Sequence, residues 1–177
     1  MKFNDFLKIL VLDKKRWDFE LGKKINPLFL YFFLREYKIV VRKRFCEYLR
    51  TKKSLFFIYC IERFLYRQLT LKNGCDIPSR TKIGPGFVIH HCNGIIINSA
   101  AVIGSNFTIR GGGVIGSTQK GIPVICNDVN MGVHCVVIGN VEIASGCVIG
   151  AGAVVTKSTE PNSIYVGVPA RKIKERN

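Results

Sequence analysis

Acidic residues are scarce in this chain: 12 Asp and Glu stand against 27 Lys and Arg in 177 residues, a formal charge of +15. So large an imbalance makes polyanions the natural partners, whether phosphorylated small molecules, acidic glycans, anionic lipid or nucleic acid. No nucleic-acid recognition motif accompanies the charge, which sets that class aside. Long apolar runs are also missing. The longest, 27–34, is far short of the roughly 20 residues a bilayer-spanning helix requires. Histidine is rare, with only His90, His91 and His134, and the three lack the spacing of a trihistidine zinc site; no metal is expected. The seven cysteines contain no C-x-x-C pair and are odd in number, against a disulfide framework or zinc cluster and in favour of reduced thiols in a cytoplasmic compartment. Lys2 precedes an apolar start, but Asp5 and Lys8 interrupt it and no small-residue cleavage site follows, so no signal peptide is expected.

What is present is a period of six. Aliphatic residues stand at Ile77, Ile83 and Ile89, then at Ile97, Ile103, Ile109 and Ile115, then at Ile125, Met131, Val137, Ile143, Ile149 and Val155. A helix repeats every 3.6 residues and a half-buried strand every two. A step of six fits a chain winding as coils of short flat segments, each placing one apolar side chain inside, which is a parallel β-helix. Small or short residues four places on, such as Thr81, Ala101, Gly113, Cys135, Cys147 and Ala153, fit the corners of such coils. The step breaks twice, after Ile89 and after Ile115. Before the repeats, from Phe3 to about Leu71, the period is helical. Asn26-Pro27 reads as a helix start, a second helical stretch runs from Ser54 to about Leu71, and Asn73-Gly74 ends it. Between them, 35–53 is dense in Lys and Arg, which fits either a solvated helix face or a basic amphipathic surface for peripheral contact with anionic lipid or a lipid-linked intermediate.

The repeats resemble those of the hexapeptide-repeat acyltransferases. The order Cys75-Asp76-Ile77, Lys82-Ile83-Gly84, Ile89-His90-His91-Cys92-Asn93-Gly94-Ile95, Ile149-Gly150-Ala151-Gly152-Ala153 and Gly167-Val168-Pro169-Ala170-Arg171 is similar to the serine acetyltransferase branch over roughly 74–173. The resemblance implies a left-handed parallel β-helix and a homotrimer with active sites between subunits. It also implies acetyl-CoA as co-substrate and direct transfer to a hydroxyl. The division it predicts is a basic α-helical extension over 1–74, the acyltransferase β-helix over 75–158 and a CoA-contacting tail over 159–177.

Site residues follow by position. His91 aligns with the family's catalytic histidine and Asp76 with the aspartate that orients it. A neutral imidazole can take the proton of an alcohol attacking a thioester, and a carboxylate on the other ring nitrogen fixes its tautomer. Neighbouring Cys92 offers an acyl-carrying nucleophile as the alternative. Around the acceptor the resemblance places His90, Asn93 and Lys120. Along the donor it places Gly132, Gly150 and Ala151, then Gly167, Ala170, Arg171 and Lys172. Two departures bear on the acceptor: His90 stands where the family has an aspartate, and the stretch 117–124 lacks the family's Arg-His-Pro, leaving Lys120 without an arginine's bidentate grip on a carboxylate. The expected acceptor is therefore a sugar hydroxyl in surface polysaccharide synthesis, with L-serine as the alternative and a non-catalytic trimeric scaffold as the reading of another class.

Overall fold

A computed structural model describes residues 1–176. Twelve short strands, β1 (Lys82–Ile83) to β12 (Val154–Val155), wind through three parallel sheets of a left-handed β-helix. Face A holds Ile96–Ile97 (β3), Val114–Gly116 (β6), Val136–Ile138 (β9) and β12. Face B holds β1, Val102–Ile103 (β4), Val124–Ile125 (β7) and Glu142–Ile143 (β10). Face C holds Val88–His90 (β2), Thr108–Arg110 (β5), Asn130–Met131 (β8) and Val148–Ile149 (β11). Register couples like to like, with Ile83 over Ile103 and Ile125 over Ile143. Every aliphatic of the six-residue series is buried, at a stabilisation of roughly 1.5–3 kcal/mol each before chain entropy is counted. The place four residues on takes large side chains as well: Phe87 and Phe107 stack there with rings 5.9 Å apart. Face C continues beyond the coils through Ser163–Val166 (β13), which pairs with β11 and, antiparallel, with Arg171–Glu175 (β14).

A solenoid's first coil leaves backbone groups without a neighbour, and the N-terminal helices supply the partners. These are α1 (Phe3–Glu20), α2 (Pro27–Phe33), α3 (Arg35–Arg50) and α4 (Phe56–Lys72). Asn26 caps α2 through Leu28 N, with Pro27 at its first position. Helix α3 is the centre of the layer, touching α1, α2, α4 and β2. Its Arg44 donates to the carbonyls of Ile83 and Gly84 at 2.7 and 2.6 Å, and its Lys43 to that of Thr81 at 2.8 Å. Asp13 of α1 pairs with Arg44 at 2.8 Å and accepts from Gly86 N and Phe87 N. Tyr66 of α4 donates to Ile77 O, and Trp17 Nε1 to Phe87 O.

This corrects the expected basic surface over 35–53. Lys43 and Arg44 are buried as clamps on the first coil, and Arg42 is paired with Glu62 at 2.7 Å, so three of the cations counted there face the protein. Sequence could not separate them from their exposed neighbours, because a helix that buries its cations on backbone carbonyls shows the same charge density. No helix among the described residues is long and apolar enough to cross a membrane.

Candidate active site

The two breaks in the six-residue step fall at different corners of the prism. Residues 91–94 turn the chain from face C to face A, and 117–123 turn it from face A to face B. His91 sits at the first of these, exposed, with φ 54. A side chain in the left-handed region costs on the order of 1–2 kcal/mol, and other coils place Gly112 (φ 71) and Gly152 (φ 67) at this corner. His134 (φ 54) is the other non-glycine there; the remaining non-glycine residues with positive φ, Asn106, Asp128 and Asn162, are of the types that tolerate it best. Between the two histidines the coils stack closely on glycine. A Cβ on Gly111 would meet His91 O at 2.5 Å, and one on Gly112 would meet His134 Nδ1 at 2.1 Å. His134 was counted in the sequence only as a missing zinc ligand, and its place on the His91 corner is visible only once the coils are stacked.

His91 opens into a cleft of about 380 Å³, walled by Trp17 of α1 and Leu21 just past its end, Phe33 and Leu34 around the end of α2, and Arg35 and Glu36 of α3. None of these was singled out in the sequence, since they lie far from His91 along the chain and carry no motif. Trp17 is buried, with its ring 6.2 Å from that of His90. His90 Nε2 lies 3.3 Å from Glu20 Oε2, so α1 brings a carboxylate against the histidine at this position. Glu36 is buried. Burial works to raise its carboxyl, but its own backbone N–H and the Arg35 guanidinium, 3.0 Å away, together hold it below the ordinary value, so it is ionised at neutral pH.

The expected pairing of Asp76 with His91 is not formed: no hydrogen bond joins them among the described residues. Asp76 N donates to Ile95 O and its carbonyl accepts from Ile97 N, and its exposed side chain borders a different cleft, between α4 and the first coil. Asn93 is exposed at the His91 corner, its carbonyl accepting from Gly112 N at 2.9 Å. Lys120 lies at the other break, where its N–H donates to Thr118 Oγ1, so within one chain the width of face A separates its corner from that of His91. Gly132, Gly150 and Ala151 follow His91 up the same corner on successive coils. Gly167 O accepts from Val154 N and Ala170 N donates to Val154 O, tying the tail to the last strand of face A. Arg171 is exposed, with only Ala170 O beside its guanidinium, whereas Lys172 is engaged by Glu160 at 2.6 Å and by Glu175. Cys92 is fully buried, its thiol donating to Asn73 O at 3.7 Å, and this neighbouring thiol together with burial pushes the Cys75 thiol far above the ordinary value. An acyl-carrying role for Cys92 therefore lacks access to the cleft.

Three comparisons bear on this geometry. The serine acetyltransferase of Escherichia coli K12 is 35% identical over 112 residues, 61% of this chain and 41% of that protein. The chain thus spans under half the length of the serine acetyltransferases it matches. The putative colanic acid biosynthesis acetyltransferase WcaB of Escherichia coli K12 is 34% identical over 132 residues, 72% of this chain and 82% of that protein. A crystal structure of serine acetyltransferase in complex with coenzyme A, from Brucella abortus strain S19, superposes with a TM-score of 0.80 at 22% identity, covering 99% of this chain and 70% of that one, and shares the fold. No family model matches the chain.

Proposed function

Because this chain belongs to the hexapeptide-repeat acetyltransferases of the serine acetyltransferase type, we propose that it transfers an acetyl group from acetyl-CoA to a sugar hydroxyl in surface polysaccharide synthesis. The observation that carries the reading is the placement of His91: exposed, held in a left-handed conformation, and facing a cleft walled by Trp17 and Phe33. The exposed ring of Phe33, backed by buried Trp17, suits the apolar face of a sugar ring. The opposite charges on the wall, Arg35 and Glu36, are paired with each other at 3.0 Å rather than left open for a free amino acid. The length of the match to WcaB supports the same acceptor class.

In the proposed reaction, His91 takes the hydroxyl proton as the acceptor oxygen attacks the thioester carbonyl. The tetrahedral oxyanion would be steadied by backbone N–H groups near the cleft. Collapse expels the CoA thiolate, which recovers the proton from the imidazolium, leaving acetylated acceptor and CoA thiol. Asp76 is proposed to orient His91 in the assembled enzyme. The donor runs along the corner of Gly132, Gly150 and Ala151 toward Gly167, Ala170 and Arg171. A homotrimer would bring Lys120 of one subunit to the cleft of the next. It would also cover the outward row Ile96, Val114, Val136 and Val154, in register on face A. The free thiols of all seven cysteines fit a cytoplasmic setting. Anionic membrane remains a proposed peripheral partner through exposed Arg50 and Lys53 beside Phe56 and Phe57, to be measured as vesicle association that falls with added salt.

Free serine is the second reading, favoured by the identity to the serine acetyltransferase of Escherichia coli. One experiment separates the readings: thioester cleavage of acetyl-CoA against a panel of L-serine, nucleotide sugars and oligosaccharides. His91→Ala should lower turnover by roughly 10²–10⁴ while the fold is retained, and Cys92→Ser should leave turnover of the folded protein close to normal. No cleavage with any acceptor would favour the non-catalytic scaffold, and a trapped acetyl-cysteine would overturn direct transfer.

A further inference from the structure

The second cleft, of about 580 Å³, lies between α4 and the first coil, and four arginines line it. Arg63 and Arg67 extend from α4 one turn apart, on one face of the helix. Arg50 comes from the end of α3, and Arg80 from the coil below β1. None of the four forms an ion pair among the described residues, whereas Arg16, Arg35, Arg42 and Arg44 all do. Arg80 touches only Ser99 Oγ, at 3.3 Å. The single carboxylate on the wall, Asp76, lies outside ion-pair reach of all of them.

Four like charges converging on one recess repel one another, and the described residues gain no ion pair from gathering them. A ligand that brings the opposite charge removes the repulsion. Guanidinium forks match phosphate oxygens two at a time, which ammonium groups do not. A recess of this volume holds a small-molecule group rather than a single ion, and half-buried Tyr59 adds a ring and a hydroxyl to its wall.

From this arrangement we infer that the cleft seats a diphosphate group of the acetyl acceptor, with Arg63, Arg67 and Arg80 on its oxygens and Asp76 joining the cleft to the reacting hydroxyl. The assignment to the acceptor rests on the proposed roles of Asp76 and His91. The diphosphate itself rests on the arginines alone. Its chemistry is common to nucleoside diphosphates and polyprenyl diphosphates.

The test is binding of inorganic pyrophosphate to the full chain, by calorimetry and by the shift in thermal unfolding midpoint, for wild type and for Arg63→Gln/Arg67→Gln. Both arginines are exposed and form no side-chain bond among the described residues, so the double variant should fold with a midpoint no lower than that of wild type when no ligand is present. Pyrophosphate should stabilise the wild type, and each lost arginine should weaken binding by about tenfold to a hundredfold. CoA affinity should be unchanged. Competition by uridine diphosphate or by geranyl diphosphate then tells the nucleoside source from the lipid one. Equal pyrophosphate binding in wild type and variant would overturn the site. Parallel loss of CoA binding, or competition by neither diphosphate, would overturn its assignment to the acceptor. All of this is read without acetyl transfer, so an inactive protein that still binds pyrophosphate would count against the proposed reaction and not against the cleft.

Discussion

Replacing Arg44 by Met tests whether the helical layer is held to the β-helix by its buried charges. Arg44 is 2% exposed and donates to Asp13 at 2.8 and 3.2 Å, to Ile83 O at 2.7 Å and to Gly84 O at 2.6 Å. Methionine nearly matches its stem but returns none of these bonds. Removing one partner of a buried ion pair costs about 3–5 kcal/mol, because the other charge stays buried. Asp13, at 0% exposure, would keep only the N–H groups of Gly86 and Phe87. Asp13→Asn should cost less, since Arg44 retains both carbonyls and Glu47, and the double variant should cost less than the two singles added. Urea unfolding followed by circular dichroism reads all three. Against a total domain stability of roughly 5–15 kcal/mol the loss should be plain. It should also reach activity, because α1 carries Trp17 and Glu20 to the His91 cleft. If Arg44→Met stays within about 1 kcal/mol of wild type, water has replaced the guanidinium at little cost, and the clamp is not what fastens the layer.

Glu36 has a lowered folded value, so its interactions stabilise the protein above its ordinary value of 4.5 and are lost as pH falls through the lowered one. The stability gap between wild type and Glu36→Gln should be full at neutral pH and close below that value, and a gap equal at both ends would refute it. Gly112→Ala adds a Cβ against the His134 ring at a φ of 71; a loss on the order of 1–2 kcal/mol from the left-handed conformation alone should appear in the unfolding midpoint, and an unchanged midpoint would mean the corner is loose. L-Serine should be a poor acceptor, since the loop after Ile115 has no arginine for its carboxylate and His90 is already held by Glu20; efficient, saturable acetylation of L-serine by the unmodified protein would make the second reading the answer.

The solenoid could be read from the chain because its rule is local and repeated. Each coil must bury one aliphatic every six residues whatever the other coils do, so the pattern survives in one dimension, and the two breaks mark the two corners where loops leave the prism. The helical layer obeys no such rule. Lys43 and Arg44 look like Lys38 and Arg50 until the first coil's carbonyls are placed beside them. Glu20 and Trp17 become neighbours of His90 only because α1 docks across β2, a contact that no spacing in the sequence encodes. The acceptor side of the cleft is built almost wholly from that layer. Motif alignment could thus name His91 on the repeat, but not the walls that face it. The same reasoning explains Asp76. Its alignment with the family's orienting aspartate suggested a pair, yet the two extra residues at 91–94 swing His91 onto a corner while Asp76 stays on the edge of face A, bridged to Ile96. A carboxylate and an imidazole that align with a catalytic pair in sequence are thereby placed against different clefts of one chain. In the proposed reaction, whatever joins them has to act across that corner, and substitutions at Asn93 and Gly94 should alter turnover more than their exposure alone would predict.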